Sequence, residues 1–124
     1  MFELTIKDKV YPFRFGLGFV REIDKTKQEN VDGNKVDVGL SYAVAGLLDE
    51  SPIDVVEILV IANKTETPRV TRALLDEYIE DEGTDLEGLC KEILGFFETG
   101  NATKKATEKT KEFVAKKLAA IQAE

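Results

Sequence analysis

Apolar and polar residues alternate at the start of the chain in a pattern that predicts a β-hairpin. The alternating apolar residues are Phe2, Leu4, Ile6, Tyr11, Phe13 and Phe15. The polar stretch Lys7–Lys9 separates the two groups and is compatible with a turn. Because an isolated hairpin is only marginally stable in water, residues 1–15 are expected to pack on an apolar surface formed by the helices that follow.

Beyond residue 15, apolar residues recur at spacings of three and four, which predicts a series of short helices. The expected helices run from Leu17 toward Lys27, from Leu40 to Asp49, from Pro52 to the polar residues 63–66, from Pro68 to Gly83, from Leu86 to Gly100, and from Thr103 onward. The segment Gln28–Gly39 is polar and rich in turn-forming residues, so it is expected to be the longest loop.

Capping residues support several of these helix starts. Ser51-Pro52 and Thr67-Pro68 each place a hydroxyl side chain before a proline, which is tolerated at the first helical position. Asp85 is predicted to cap the following helix in the same way. The helix after Ser51 is apolar enough to be central to the core; its apolar residues include Ile53, Val56, Leu59 and Val60.

These elements indicate an α+β fold that is mainly α, with an N-terminal β-hairpin packed against five or six short helices. A length of 124 residues fits one domain, and the chain contains no repeat or linker that would divide it. We therefore expect a single domain over residues 1–124, made of a hairpin (1–15), a helical body (16–100) and a basic C-terminal helix (101–124).

Charge is distributed unevenly between the body and the C-terminal helix. Residues 1–100 carry 11 basic and 21 acidic side chains, whereas residues 101–124 carry six lysines and three glutamates. A net positive charge that is confined to one short helix argues against nucleic-acid binding. It favours contact between the basic helix and an acidic surface, either on the same chain or on a neighbour. No apolar run is long enough to cross a membrane, and no secretory signal is recognised at the N-terminus.

The chain lacks the residues on which most catalytic sites depend. It has no histidine and one cysteine, Cys90, which excludes Ser–His and Cys–His pairs and a cysteine-based zinc site. Cys90 lies on the apolar side of its helix and is expected to be a buried, inert thiol. The glycine pair Gly16 and Gly18 lacks the context of a dinucleotide-binding loop. The acidic run 76–85 fails the calcium-loop pattern and is expected to be a solvated surface, with a docking site for a basic partner segment as the alternative. We expect no enzymatic activity, no metal and no cofactor.

Two apolar features are ambiguous between core and contact surface. The last helix carries an apolar stripe that either completes the core of the domain or receives a partner helix. The adjacent aromatics Phe96 and Phe97 point about 100° apart on a helix, so a narrow buried face accommodates one more easily than both. The candidate partner-binding residues are Phe96, Phe97, Phe113, Val114, Leu118 and Ile121.

The ordered combination of these elements resembles the tail assembly chaperones of long-tailed phages and prophages of Gram-positive bacteria. The resemblance is carried by the following segments: Phe2–Ile6, Tyr11–Gly16, Phe19–Asp24, Leu47-Leu48, Leu74–Ile79 and the final helices. It covers most of the chain, and the lysine-rich part after Asn101 matches least well. Its motifs are apolar spacings and turn residues, with no catalytic fingerprint.

The resemblance implies a non-enzymatic protein that acts in the host bacterial cytoplasm and is absent from the mature virion. Its expected client is the tape measure protein, which such chaperones keep soluble until tail tube subunits polymerise around it. The resemblance also implies contact with the tail tube protein, in many relatives through a longer, frameshifted product, and a homo-oligomer is compatible with it. The alternative interpretation is a structural tail or head-completion subunit that is built into the virion.

Overall fold

The computed structural model describes residues 1–123, which form two β-hairpins and six helices. The elements in chain order are β1 (Phe2–Ile6), β2 (Lys9–Phe13), α1 (Leu17–Asp24), β3 (Gln28–Val31), β4 (Asn34–Asp37), α2 (Gly39–Leu48), α3 (Pro52–Asn63), α4 (Arg72–Glu80), α5 (Leu86–Thr99) and α6 (Lys104–Ala123). The predicted α+β, mainly α architecture with an N-terminal hairpin is therefore confirmed.

The first hairpin forms as the alternation predicts, but its second strand is shorter. Lys7 and Asp8 form the two-residue turn with positive φ angles of 51° and 65°, the conformation of a tight hairpin turn. The strand ends at Phe13 rather than Phe15, because the next backbone N–H, that of Arg14, donates to the carbonyl of Ala62 in α3 at 2.9 Å. At this bond the chain leaves the β1–β2 ladder and contacts the helical body.

The segment Gln28–Gly39 is not a loop, so that prediction is wrong. It contains a second antiparallel hairpin, β3–β4, whose eight strand residues are all exposed. Asp32 and Gly33 form its turn with φ angles of 51° and 84°, and Asp-Gly is a favoured pair for such turns. The hairpin was missed because it has no buried face to impose an apolar alternation.

The helix starts agree with the capping prediction at two positions and disagree at one. The Ser51 hydroxyl accepts from the N–H of Asp54 at 3.4 Å, and the Asp85 carboxylate accepts from the N–H of Gly88 at 3.0 Å. Thr67-Pro68 does not begin a helix: the peptide bond is cis, and α4 starts only after Thr71, whose hydroxyl accepts from the N–H of Leu74. The Thr67-Pro68 pattern therefore predicts the start of this helix four residues too early.

The buried apolar residues form one contiguous core between the first hairpin and the helices. Helix α3 lies at its centre, with Val55 and Leu59 fully buried. Asn63, at the end of α3, is also fully buried; its amide donates to the carbonyls of Pro12 (2.9 Å) and Pro68 (3.1 Å), and its oxygen accepts from the N–H of Val70 (2.7 Å). One side chain thus joins the first hairpin, α3 and the loop before α4.

Helix α6 lies within the predicted C-terminal helix 101–124 and has 20 residues over about 30 Å. Its first half packs on the body through threonines rather than large apolar residues, and Thr103, Thr107 and Thr110 are buried. The hydroxyls of Thr103 and Thr107 donate to the carbonyls of Phe97 and Thr103, each at 2.8 Å. Residues 115–123 are all exposed, so the second half of the helix projects from the body.

Candidate partner-binding surface

The cysteine and the acidic side chains that could take part in catalysis or metal binding have structural roles instead. Burial raises the pKa of the Cys90 thiol to about 11, with a smaller contribution from Glu50, so Cys90 is an unreactive core residue at neutral pH. In the acidic run, the Asp81 carboxylate accepts from the N–H of Gly83 at 2.7 Å and Asp85 caps α5. Within residues 1–123, no cluster of acidic, histidine or cysteine side chains could hold a metal ion. In the same range, no helix is long and apolar enough to span a bilayer.

The two adjacent aromatics of α5 have different environments. Phe97 is fully buried and packs edge-on against Phe15 and Phe19, with ring centroids 5.1 and 5.7 Å apart. Phe96 is 37% exposed, although its ring lies 5.5 Å from that of Phe2. Of the pair, only Phe96 presents an accessible apolar surface. Phe97, predicted from the sequence as a partner contact, is therefore a core residue instead.

The projecting part of α6, residues 113–123, is here called the arm. The side chains of Phe113, Leu118 and Ile121 are 54–66% exposed, and Val114 is half-buried. Their spacing continues the helix face on which Thr107 and Thr110 are buried, but the body ends before the arm does. The ammonium of Lys117 lies 5.3 Å from the centroid of the Phe113 ring, and no acidic residue occurs in the arm. The arm is therefore an amphipathic, positively charged helix with an uncovered apolar face.

A groove of about 470 Å³ lies where the arm joins the body and is called the α2–α6 groove. Its lining residues are Glu29, Ser41, Tyr42, Ala45, Lys109, Thr110, Phe113 and Val114. Strand β3 of the second hairpin forms one side, α6 forms the other and α2 forms the floor. The Tyr42 hydroxyl donates to the Glu29 carboxylate at 2.9 Å, which fastens the hairpin to α2.

A second groove of about 290 Å³, the α1–α3 groove, lies on the other side of Tyr42. Its lining residues are Ile23, Thr26, Lys27, Gly39, Tyr42, Ala43, Ile53, Asp54, Glu57 and Ile58. Ile53 was expected in the core, but it is 81% exposed at the rim and is the most exposed large apolar residue in the described part of the chain. Tyr42 lies between the two grooves and lines both of them.

The basic helix α6 does pack along the body of its own chain, but few of its charged side chains form ion pairs with that body. The Lys111 ammonium lies 3.4 Å from the Glu98 carboxylate, and this is the single ion pair between α6 and the body over residues 1–123. The other ion pairs of that range also join exposed side chains, where each contributes at most about 1 kcal/mol. Most lysines of α6 are thus available to an acidic partner.

Comparison with known protein families gives a match over most of the chain. The family described as "Phage tail assembly chaperone protein, TAC" matches residues 3–112, which covers both hairpins, α1–α5 and the packed half of α6. The match stops where the arm begins. No curated protein and no solved structure shows significant similarity. Because the match extends over most of the chain, the resemblance inferred from the sequence is confirmed: this chain belongs to the phage tail assembly chaperone family.

Proposed function

We propose that this chaperone binds the tape measure protein of its phage and keeps it soluble until tail tube subunits polymerise around it. The observation that carries the proposal is the arm, which presents an apolar helix face with no covering element in residues 1–123. Apolar helix surface of this kind is suited to an amphipathic helix of another protein. The predicted contact residues are Phe113, Val114, Leu118 and Ile121, with Phe96 as a separate exposed apolar position.

The size of this surface supports reversible binding. Burying four side chains of this type contributes about 6–12 kcal/mol. Association opposes this with an estimated cost of about 4–15 kcal/mol. A single arm therefore gives a weak contact, and several chaperone copies along one client give useful coverage. Weak individual contacts also allow the tail tube protein to displace the chaperone as the tube grows.

The remaining parts of the proposal follow from this role. The chaperone acts in the host cytoplasm by non-covalent binding, without a cofactor, and leaves before the virion is complete. Contact with the tail tube protein occurs directly or through a longer, frameshifted product.

Co-expression with the tape measure protein of the same phage tests the central claim. We expect the tape measure protein to be soluble with the chaperone and insoluble without it. Leu118→Ser should reduce the soluble fraction, whereas Ala119→Ser introduces the same residue about 100° around the helix, off the apolar face, and should not. Equal insolubility with and without the chaperone would contradict the proposal.

Mass spectrometry of purified virions separates this function from the alternative of a structural subunit. We expect the chain to be absent from finished particles and present in lysates of assembling cells. A stoichiometric amount in washed virions would identify it as a tail or head-completion component instead.

A further inference from the structure

The α2–α6 groove is the centre of a larger apolar surface. Its floor carries Tyr42 and Ala45, and its α6 side carries Phe113 and Val114. Tyr42 and Phe113 are both exposed, so water covers much of the apolar lining. Beyond Phe113 and Val114, the exposed residues Leu118 and Ile121 of the arm continue the apolar stripe of α6.

One face of the β3–β4 hairpin extends the surface on the other side of the groove. The strand register pairs Glu29 with Val36 and Val31 with Asn34, so these four side chains share a face. This face meets α2, because the Glu29 carboxylate accepts from the Tyr42 hydroxyl at 2.9 Å. Val31 and Val36 are 48% and 42% exposed on it, and the opposite face of the two strands carries only polar side chains. Both apolar side chains of the hairpin therefore lie on the groove side.

The extent of this surface indicates a protein segment rather than a small molecule. The groove measures about 470 Å³, within the range of ligand pockets, which is roughly 300–1,000 Å³. A small ligand there would leave the two hairpin valines and the apolar face of the arm in water. A helix that lies beside α6 covers all three regions with one apolar face.

The charges at the groove select the kind of helix. Lys109 lines the groove and forms no ion pair with any side chain in residues 1–123. Lys116 lies about two turns further along α6 and therefore on the same side of it. The one acidic residue that lines the groove, Glu29, is on the opposite wall and is bonded to Tyr42. Residues 1–100 carry 21 acidic and 11 basic side chains, so an acidic helix is attracted to the α6 side of the groove and repelled by most of the body.

We propose that the client segment bound by this chaperone is an amphipathic helix with acidic residues along one flank of its apolar face, and that it lies in the α2–α6 groove between the hairpin and the arm. Its apolar side chains pack on Tyr42, Phe113 and the two valines of the hairpin, and its carboxylates lie beside Lys109 and Lys116. The inference rests on the proposed function for the identity of the client, whereas the preference for an acidic helix is a property of the groove.

Fluorescence anisotropy of two designed peptides tests this preference with the 124-residue chain. The first dye-labelled peptide forms a helix with leucine on one face and glutamate beside it; the second has lysine at every glutamate position. The glutamate peptide should bind about tenfold more tightly at low salt, although the net charge of −7 alone favours the lysine peptide. Added salt should reduce the difference. Equal affinities, or no binding of the glutamate peptide because another molecule occupies the groove, would overturn the proposal.

Substitutions in the hairpin test its part in the contact. V31S/V36S should weaken the glutamate peptide about tenfold, because two apolar side chains leave the interface. Both positions are exposed, so circular dichroism should show an unchanged fold. Asn30→Ser is the control, since it places serine on the opposite face of the same hairpin and should leave the affinity unchanged. A folded V31S/V36S chain that binds as the wild type does would contradict the assigned surface.

Charge reversal in α6 tests the acidic flank separately. Lys109→Glu should weaken the glutamate peptide and strengthen the lysine peptide. Lys104→Glu makes the same change in net charge on the same helix, outside the groove lining, and should alter neither affinity about as much. Equal effects of the two substitutions would show that net charge, rather than the groove, determines the preference.

Co-expression with the tape measure protein separates this inference from the proposed function. V31S/V36S should reduce the soluble fraction of the tape measure protein relative to the wild type. If both chains solubilise it equally, the proposed function stands and the groove assignment fails. If neither solubilises it while the glutamate peptide binds the groove, the proposed function fails and the preference for an acidic helix stands.

Discussion

Gly39 is placed where the chain leaves no room for a side chain. It opens α2 directly against the end of α1, and a Cβ at this position would overlap the backbone carbonyl of Ile23. Asp24 fixes the same junction by accepting from the N–H of Leu40 at 3.1 Å. A backbone carbonyl cannot move aside as a flexible side chain would, so the close approach of α1 and α2 requires glycine here.

A pair of glycine-to-alanine substitutions tests this point. Gly39→Ala should lower the free energy of unfolding by several kcal/mol, about the upper range for single substitutions. Gly95→Ala is the control, since Gly95 is exposed within α5 and a Cβ there meets no atom within 4 Å. It should raise the stability by about 0.5–1 kcal/mol, because alanine favours helix. Urea unfolding monitored by circular dichroism measures both values, and equal effects would contradict the packing described.

Asn63 is the buried polar residue with the largest structural role. Asn63→Ala leaves the N–H of Val70 and the carbonyls of Pro12 and Pro68 without their side-chain partner in the core. An unpaired buried group costs about 1–3 kcal/mol. The bond from Val70 is buried and the two bonds to the carbonyls are partly buried, so a total loss of about 2–3 kcal/mol is expected in urea unfolding. Asn101→Ala, at an exposed position, should change stability little. A loss below 1 kcal/mol for Asn63→Ala would show that these groups find other partners.

At the scale of elements, the sequence correctly predicts the strands and helices whose residue pattern lies within the element itself. The first hairpin has a buried face and therefore an apolar alternation, and α3 and α5 have caps with the expected bonds. The Thr67-Pro68 signal failed because a hydroxyl before proline fits a turn as well as a helix start. The β3–β4 hairpin carried an Asp-Gly turn signal that could have identified it, but its exposed strands gave no supporting periodicity.

For the candidate surface, too, the sequence predicts features within one element but not those that depend on how the elements pack together. The periodicity of α6 identifies which residues share a face, but not where the body beneath that face ends. This is why Thr107 is buried and Leu118 is exposed on one continuous stripe. Tyr42 and Ile53 were missed as groove residues because their positions depend on how α1, α2 and α3 meet, which no single segment encodes.

Shortening α6 tests whether the arm belongs to the folded core. A chain that ends at Val114 should keep its free energy of unfolding within about 1 kcal/mol of the full chain, since side chains 115–123 are exposed. A chain that ends at Asn101 should be strongly destabilised, because it loses the buried Thr103, Thr107 and Thr110. Thermal unfolding of the three chains measures this, and a large loss on removal of residues 115–123 alone would place that part of the arm in the core.

At the scale of the whole molecule, stability should decrease from α3 toward the arm. Hydrogen exchange of a dilute sample should be slowest for the amides around Val55 and Leu59 and fastest for residues 115–123, which are all exposed. Protection of the arm should appear only when a client is added. An arm as protected as α3 in the dilute, isolated chain would contradict this gradient.

The position of Tyr42 has a practical consequence for optical experiments. The chain contains no tryptophan and three tyrosines, and Tyr42 is the tyrosine that lines both grooves, half exposed and hydrogen-bonded to Glu29. Its ultraviolet emission is therefore a built-in reporter of groove occupancy that needs no attached dye. In a mixture, any tryptophan fluorescence originates from the other protein, so the two molecules can be followed separately in one cuvette.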